Sequence, residues 1–223
     1  GDLPLHCGAT RYVVRFDENT NEPYIFDSFI KADDMGRARL EKNDEDEVPF
    51  FYGTETGAFA CLDGFSEHAK MQMEGREIGY NKHSGTNARQ IVPVTEYSEI
   101  STGSELDILL YLNNYELIKP GDSCMKTDLT ADEVLEHFRS GARVAAGSTQ
   151  THRGDVEISY WANPFPLLKD KVWKDLPQHV DLCQRFEKIE KKFWNNFKSR
   201  ADNGKMKLGL AHSMLMAGVY KDS

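Results

Sequence analysis

Between Pro177 and Gly204 the chain carries an unbroken apolar stripe at helical spacing, and this segment constrains the fold more than any other. Val180, Cys183, Phe186, Ile189, Phe193 and Phe197 recur every three or four residues. In a helix of about 3.6 residues per turn these positions share one face, leaving Lys and Glu on the others. Pro177 suits the first turn, and Gly204 suits the position just past the last. The spacing predicts a helix over Gln178–Asn203. A stripe this broad belongs in a core rather than around a cofactor. Met206–Val219 follows, rich in Met and Leu, and is expected to fold back as a second helix, giving a helical hairpin.

A second helix start lies upstream. In Thr130-x-x-Glu133 the Thr hydroxyl and the Glu carboxylate can each satisfy an exposed N–H of the first turn. Val134, Leu135 and Phe138 then share a face, and Gly141 can end the helix. The first half of the chain reads differently. Thr10–Phe16 and Tyr24–Ile30 are β-like runs around a turn of Asp, Asn and Pro, which predicts a hairpin. Val48–Asp63 suits short strands, Phe65–Glu74 a short helix and Val156–Trp161 a strand. Gln90–Glu96 reads as a strand that Pro93 pushes toward a sheet edge. The acidic run Glu41–Glu47 has no apolar periodicity and predicts a solvated loop. Glu105–Leu112 is too short an apolar run to assign.

These readings give an α+β fold class. A small, mostly antiparallel sheet is expected in the N-terminal half, and a helix-rich C-terminal half ending in the helical hairpin. Residues 1–125 form the mainly β or α+β region and residues 126–223 the helix-rich region, packed as one globular unit.

Charge excludes some partners. The net charge is -9, whereas nucleic-acid binding needs clustered cations to replace phosphate counterions. The charge is also uneven. Pro166–Lys207 holds eleven Lys/Arg against six Asp/Glu, a net of +5, so the remainder carries -14. The two zones either meet inside one fold or face a neighbour. No apolar run approaches the roughly 18 residues of a membrane helix. Cys7, Cys61, Cys124 and Cys183 lie far apart with no CxxC pair, so reduced thiols and an intracellular setting, cytoplasmic or organellar, are expected.

Candidate chemistry is sparse. His6, Cys7, Cys61, His68 and His83 are metal-ligand types, but they lack the paired short spacing of zinc sites, so no metal is expected. There is no GxSxG elbow, P-loop or GxGxxG. Cys61 and Cys124 have no local signature of a catalytic thiol. Arg153-Gly154-Asp155 is expected to be an ordinary surface turn.

Two segments carry a family resemblance. Tyr80–Ala88 (YNKHSGTNA) resembles the Asn-His-Ser-Cys-x-Pro-Asn segment of SET-domain lysine methyltransferases, with Lys82 in place of the Asn before His. Ile100–Leu106 (ISTGSEL) resembles that family's Ile-x-x-Gly-Glu-Glu-Leu, and Tyr111 follows near the place of its catalytic Tyr. The resemblance spans about thirty residues. It implies S-adenosylmethionine contacts at Asn81 and His83 and a catalytic role for Tyr111.

Two function classes follow. The first is a non-catalytic accessory or interaction protein, part of a larger assembly and bound to a protein partner. The alternative is a SET-type protein methyltransferase using S-adenosylmethionine.

Overall fold

A computed structural model describes residues 1–43, 46–61, 78–80, 88–113, 123–144, 156–158, 161 and 177–212. Strands dominate it. They are β1 (Leu3–His6), β2 (Ala9–Phe16), β3 (Pro23–Ala32), β4 (Met35–Asn43), β5 (Asp46–Gly53), β6 (Gly57–Cys61), β7 (Ile78–Tyr80), β8 (Ala88–Pro93), β9 (Ser104–Glu105), β10 (Ile108–Asn113), β11 (Met125–Lys126), β12 (Ala142–Val144), β13 (Val156–Ile158) and β14 (Lys207–His212). Three helices lie among the described residues: α1 (Tyr97–Ser101), α2 (Ala131–Ser140) and α3 (Pro177–Asp202). Sheet orders are β1-β4-β5-β9, β10-β14-β11, β6-β8-β7, β2-β3 and β12-β13.

The chain divides into two compact units that interleave in sequence. One comprises Gly1–Leu3, Leu40–Pro49 and Glu105–Ser223, and the other Pro4–Arg39 and Phe50–Ser104. They are called here the aromatic unit and the hairpin unit.

In the aromatic unit, β10 and β14 pair in parallel from Ile108↔Lys207 to Asn113↔His212. Parallel neighbours need a long crossover, and the chain between them contains α2 and α3. Leu109 of β10 and Leu208 and Leu210 of β14 are buried, and α2 packs on both strands and against α3. Phe138 of α2 stacks on Trp161 at 4.6 Å between centroids, and Trp161 lies 6.3 Å from Trp194 of α3. The Trp161 indole N–H donates to Glu190 Oε1 at 2.6 Å, giving the buried nitrogen its partner. Phe186, Phe193 and Phe197 complete the buried side of α3, while Val180 at its start is exposed.

The expected helix-rich C-terminal half ending in a helical hairpin is corrected by this arrangement. Four strands lie in that half among the described residues, and Lys207–His212 of the expected last helix is β14. Leu208, Leu210 and His212 alternate onto one face of β14. A Met/Leu-rich run satisfies helical and strand periods alike, and pairing with β10 decides between them. The single small N-terminal sheet is corrected too, because strands in the first half are shared among several sheets. Strand β8 is central rather than an edge, with Pro93 at its last rung opposite Gly57. The acidic run is largely strand, since β4 extends to Asn43 and β5 begins at Asp46. Phe65–Glu74 lies outside the described residues.

Several local expectations hold. Around α2 the Thr130 hydroxyl accepts from the Glu133 N–H at 3.3 Å, and the Glu133 carboxylate accepts from the Thr130 N–H at 2.8 Å. Gly141 ends α2 at φ 58°, and Gly204 follows α3 at φ 69°. The two charge zones meet within the aromatic unit. Lys192 pairs with Glu47 at 2.7 Å, Lys205 with Asp46 at 3.1 Å, and buried Arg200 with both Glu105 and Asp46.

Candidate protein-interaction surface

The hairpin of β2 and β3 begins with its turn. Asp17 Oδ1 accepts from the Asn19 and Thr20 backbone N–H groups at 2.8 and 2.9 Å, and Asn21 takes the left-handed φ of 56° that Asn tolerates. Those two N–H groups hold the Asp17 carboxyl below the ordinary aspartate value. The strands then pair antiparallel from Phe16↔Pro23 to Ala9↔Ala32. A bulge between Val13 and Val14 adds Phe26 to the β3 side.

Cross-strand register sorts the side chains into two faces. Arg11, Phe29, Val13 and Asp27 lie on one. There the Arg11 guanidinium sits 4.2 Å from the Phe29 ring centroid and donates to both Glu99 carboxylate oxygens of α1, at 3.0 and 3.2 Å. Lys31, at the end of β3, is buried and donates to the Thr102 carbonyl at 2.8 Å and to the Glu99 carbonyl. Burial pushes the Glu99 carboxyl up. Hydrogen bonds and charge from Arg11 and Lys31 outweigh that and hold it below the ordinary glutamate value. The base of the hairpin is therefore anchored within its own unit.

The opposite face is open. Tyr12, Val14, Phe16, Ile25 and Ile30 retain 55, 52, 60, 62 and 40% of their accessible surface. Thr10, Ser28 and Pro23 share this register, and the bulged Phe26, also exposed, carries the Arg15 guanidinium 3.2 Å from its ring centroid. Single exposed apolar residues are ordinary, but a contiguous apolar group rimmed by polar side chains is the mark of a binding surface. Strands β2 and β3 form a two-stranded sheet, so among the described residues each also has an unpaired edge. At the turn end of this face Asp17, Glu18 and Glu22 are exposed.

The alternating pattern of Thr10, Tyr12, Val14 and Phe16 was legible as a strand, but an alternation marks an apolar face without saying whether the chain itself covers it. An apolar face on a segment framed by a strongly charged turn was the available signal.

The residues carried by the methyltransferase resemblance are placed as follows. Tyr111 lies in β10, its ring 5.6 Å from His137 and 5.3 Å from Phe138, and its hydroxyl donates to the Ala142 carbonyl. Asn81 and His83 lie outside the described residues. Ile100–Leu106 contains the end of α1 and β9. Among the metal-ligand types, His6 pairs with Asp34 at 2.7 Å. Burial pushes the Cys7 thiol up to about 12, with Asp34 and Glu55 adding to the shift. Among the described residues no three His, Cys, Asp or Glu converge on a metal-sized site, and no helix is long and apolar enough to cross a membrane.

No protein-family model, curated protein or solved structure matches this chain.

Proposed function

We propose that this chain is a non-catalytic interaction protein, one component of a larger assembly, docked to a protein partner through the β2–β3 hairpin. The observation that carries this is the apolar face of Tyr12, Val14, Phe16, Ile25 and Ile30, exposed on a hairpin whose base is anchored through Arg11 and Lys31. An isolated two-stranded hairpin is marginal in water, and a third strand or a covering surface completes it. Charge selects the occupant. Asp17, Glu18 and Glu22 border the apolar face at the turn, so the complementary surface is an apolar strip ending in Lys or Arg. The same carboxylates repel nucleic acid and anionic lipid surfaces. In the aromatic unit, opposite charges pair within the unit itself as Lys192–Glu47 and Lys205–Asp46.

The test replaces Tyr12, Phe16 and Ile25 with Ser in one full-length variant and isolates the chain under native conditions. Exposed positions change stability by only about 0.5 kcal/mol each, so the melting temperature should move little. Aromatic anchors at an interface contribute about 2 kcal/mol or more, so binding of the copurifying partner should weaken by about 30-fold or more. A variant that keeps wild-type affinity for that partner, or a wild-type chain that runs as a lone monomer in native extracts, contradicts the proposal.

A further inference from the structure

His212 is a buried side chain of the aromatic unit whose surroundings leave it unexplained. It is 5% exposed, and among the described residues neither ring nitrogen meets a hydrogen-bond partner. Desolvating a polar group without a partner is costly, so its retention calls for a reason. The strand register offers one. β14 lies between β10 and β11. On one side the parallel ladder sets Asn113 opposite His212. On the other, Met125 pairs with Ala211, and at the next rung the His212 N–H donates to the Cys124 carbonyl at 2.8 Å. Residues opposite each other on adjacent strands place their side chains on the same face. Cys124, just before β11, therefore continues the row that His212 of β14 and Asn113 of β10 make. Asn113 is fully buried and Cys124 is exposed at the sheet edge.

We propose that Cys124 is a reactive thiol activated by His212, a modification site for low-molecular-weight disulfides and other soft electrophiles. This inference is independent of the docking hairpin. Opposed Cβ atoms on such a rung are about 4.5–5.5 Å apart, within reach of a thiol and an imidazole after one side-chain rotation. No bond joins the two in the resting arrangement, and the exposed Cys124 is the partner free to turn. The imidazole then accepts the thiol proton, and the resulting cation stabilises the thiolate. The thiolate attacks one sulfur of a disulfide. A new S–S bond forms to Cys124 as the old one breaks, and the departing thiolate takes its electron pair and the proton from His212. Cys124 is oxidised to a mixed disulfide, half of the reagent is reduced to a thiol, and His212 returns to neutral. Asn113 flanks the ring as a positioning residue. Lys126, two residues beyond Cys124 on the same strand face, adds a second cation. On α2, packed over these strands, the neighbouring titratable group is His137, beside Tyr111.

The experiment treats the full chain with an aromatic disulfide and with iodoacetamide, following each cysteine by peptide mass spectrometry at about pH 6 and about pH 8. Cys124 should react about tenfold or more faster than Cys183 at the lower pH. Cys7, buried and pushed up to about 12, should be the slow internal reference. His212→Gln should remove the advantage at the lower pH, Asn113→Ala should reduce it, and Lys126→Met should leave most of it. Wild-type Cys124 reacting no faster than Cys183 at the lower pH overturns the proposal without reference to any variant. Equal rates in wild type and folded His212→Gln overturn the role of His212.

Discussion

Phe197→Ala is expected to lower the stability of the aromatic unit by about 3–5 kcal/mol, the range for removing a large aromatic side chain from a packed core. Phe197 has 0% of its surface exposed. Its ring meets Phe193 at 5.8 Å and Trp194 at 6.2 Å, both edge-on, so truncation loses two aromatic contacts as well as burial. It sits one turn after Phe193 on the long helix, and that helix cannot slide to fill the space, because Asn196 beside it donates to the Glu47 carbonyl at 2.6 Å. Denaturant unfolding followed by tryptophan fluorescence measures the effect directly, since Trp194 is a neighbour. Val180→Ala, on the same stripe but at the exposed start of α3, should cost less than about 0.5 kcal/mol. Comparable losses at the two positions would show that the stripe is not a core along its second half only.

Lys31→Ala is expected to be the second large effect, at about 1.5–3 kcal/mol for the loss of charged hydrogen bonds from a buried donor. Lys31 is 2% exposed. Its ammonium reaches the carbonyls of Glu99 and Thr102 and lies 3.5 Å from the Glu99 carboxylate. These carbonyls belong to the end of the short helix α1, which is too short to hold itself. A Cβ at Gly53 would collide with the Lys31 carbonyl and the Ile100 side chain, so the glycine lets the strand approach closely enough to seat the lysine. Burial lowers the affinity of Lys31 for its proton against the opposing pull of Glu99. Glu99 is the group that reports on this anchor in a pH titration. Its folded value lies below its unfolded value of 4.5, so its contribution is present above that value and is lost as pH falls through the folded one. Wild type should therefore lose stability on acidification below about pH 4.5, and Glu99→Gln should flatten that part of the curve. An unchanged acid limb in Glu99→Gln would remove the carboxylate from the account of the anchor.

Legibility in the sequence followed the length over which a physical signal repeats. The stripe from Phe186 to Phe197 spans several helical turns, so it named its own helix and its own core. The Thr130–Glu133 box and the Asp17–Pro23 turn are complete within a few residues and needed no distant partner. β14 was missed because Leu208, Leu210 and the following Met and Leu fit two periods. Its strand state comes from pairing with β10, about a hundred residues earlier. The fold class failed for the same reason, since a strand's partner is not written beside it. The docking face was half legible. Tyr12, Val14 and Phe16 announced a strand with an apolar side, while their exposure depends on the rest of the chain leaving that side open. The row of Cys124, His212 and Asn113 was not legible, because the pairing of β14 with β10 and with the segment entering β11 brings together residues with no sequence spacing in common.

The central claim, that the apolar hairpin face is where a protein partner sits, is tested most directly by site-specific photocrosslinking. A photoreactive phenylalanine analogue is placed at position 16 in one full-length chain and at position 97 in another, and each is illuminated in the native assembly. Tyr97 is the matched control, an exposed aromatic on α1 rather than on the hairpin face. The account predicts that position 16 forms an adduct with one protein partner, at a partner peptide that is apolar and flanked by Lys or Arg, and that position 97 forms none. Adducts of equal yield from both positions, adducts only to a second copy of this chain, or no protein adduct from position 16 would contradict it.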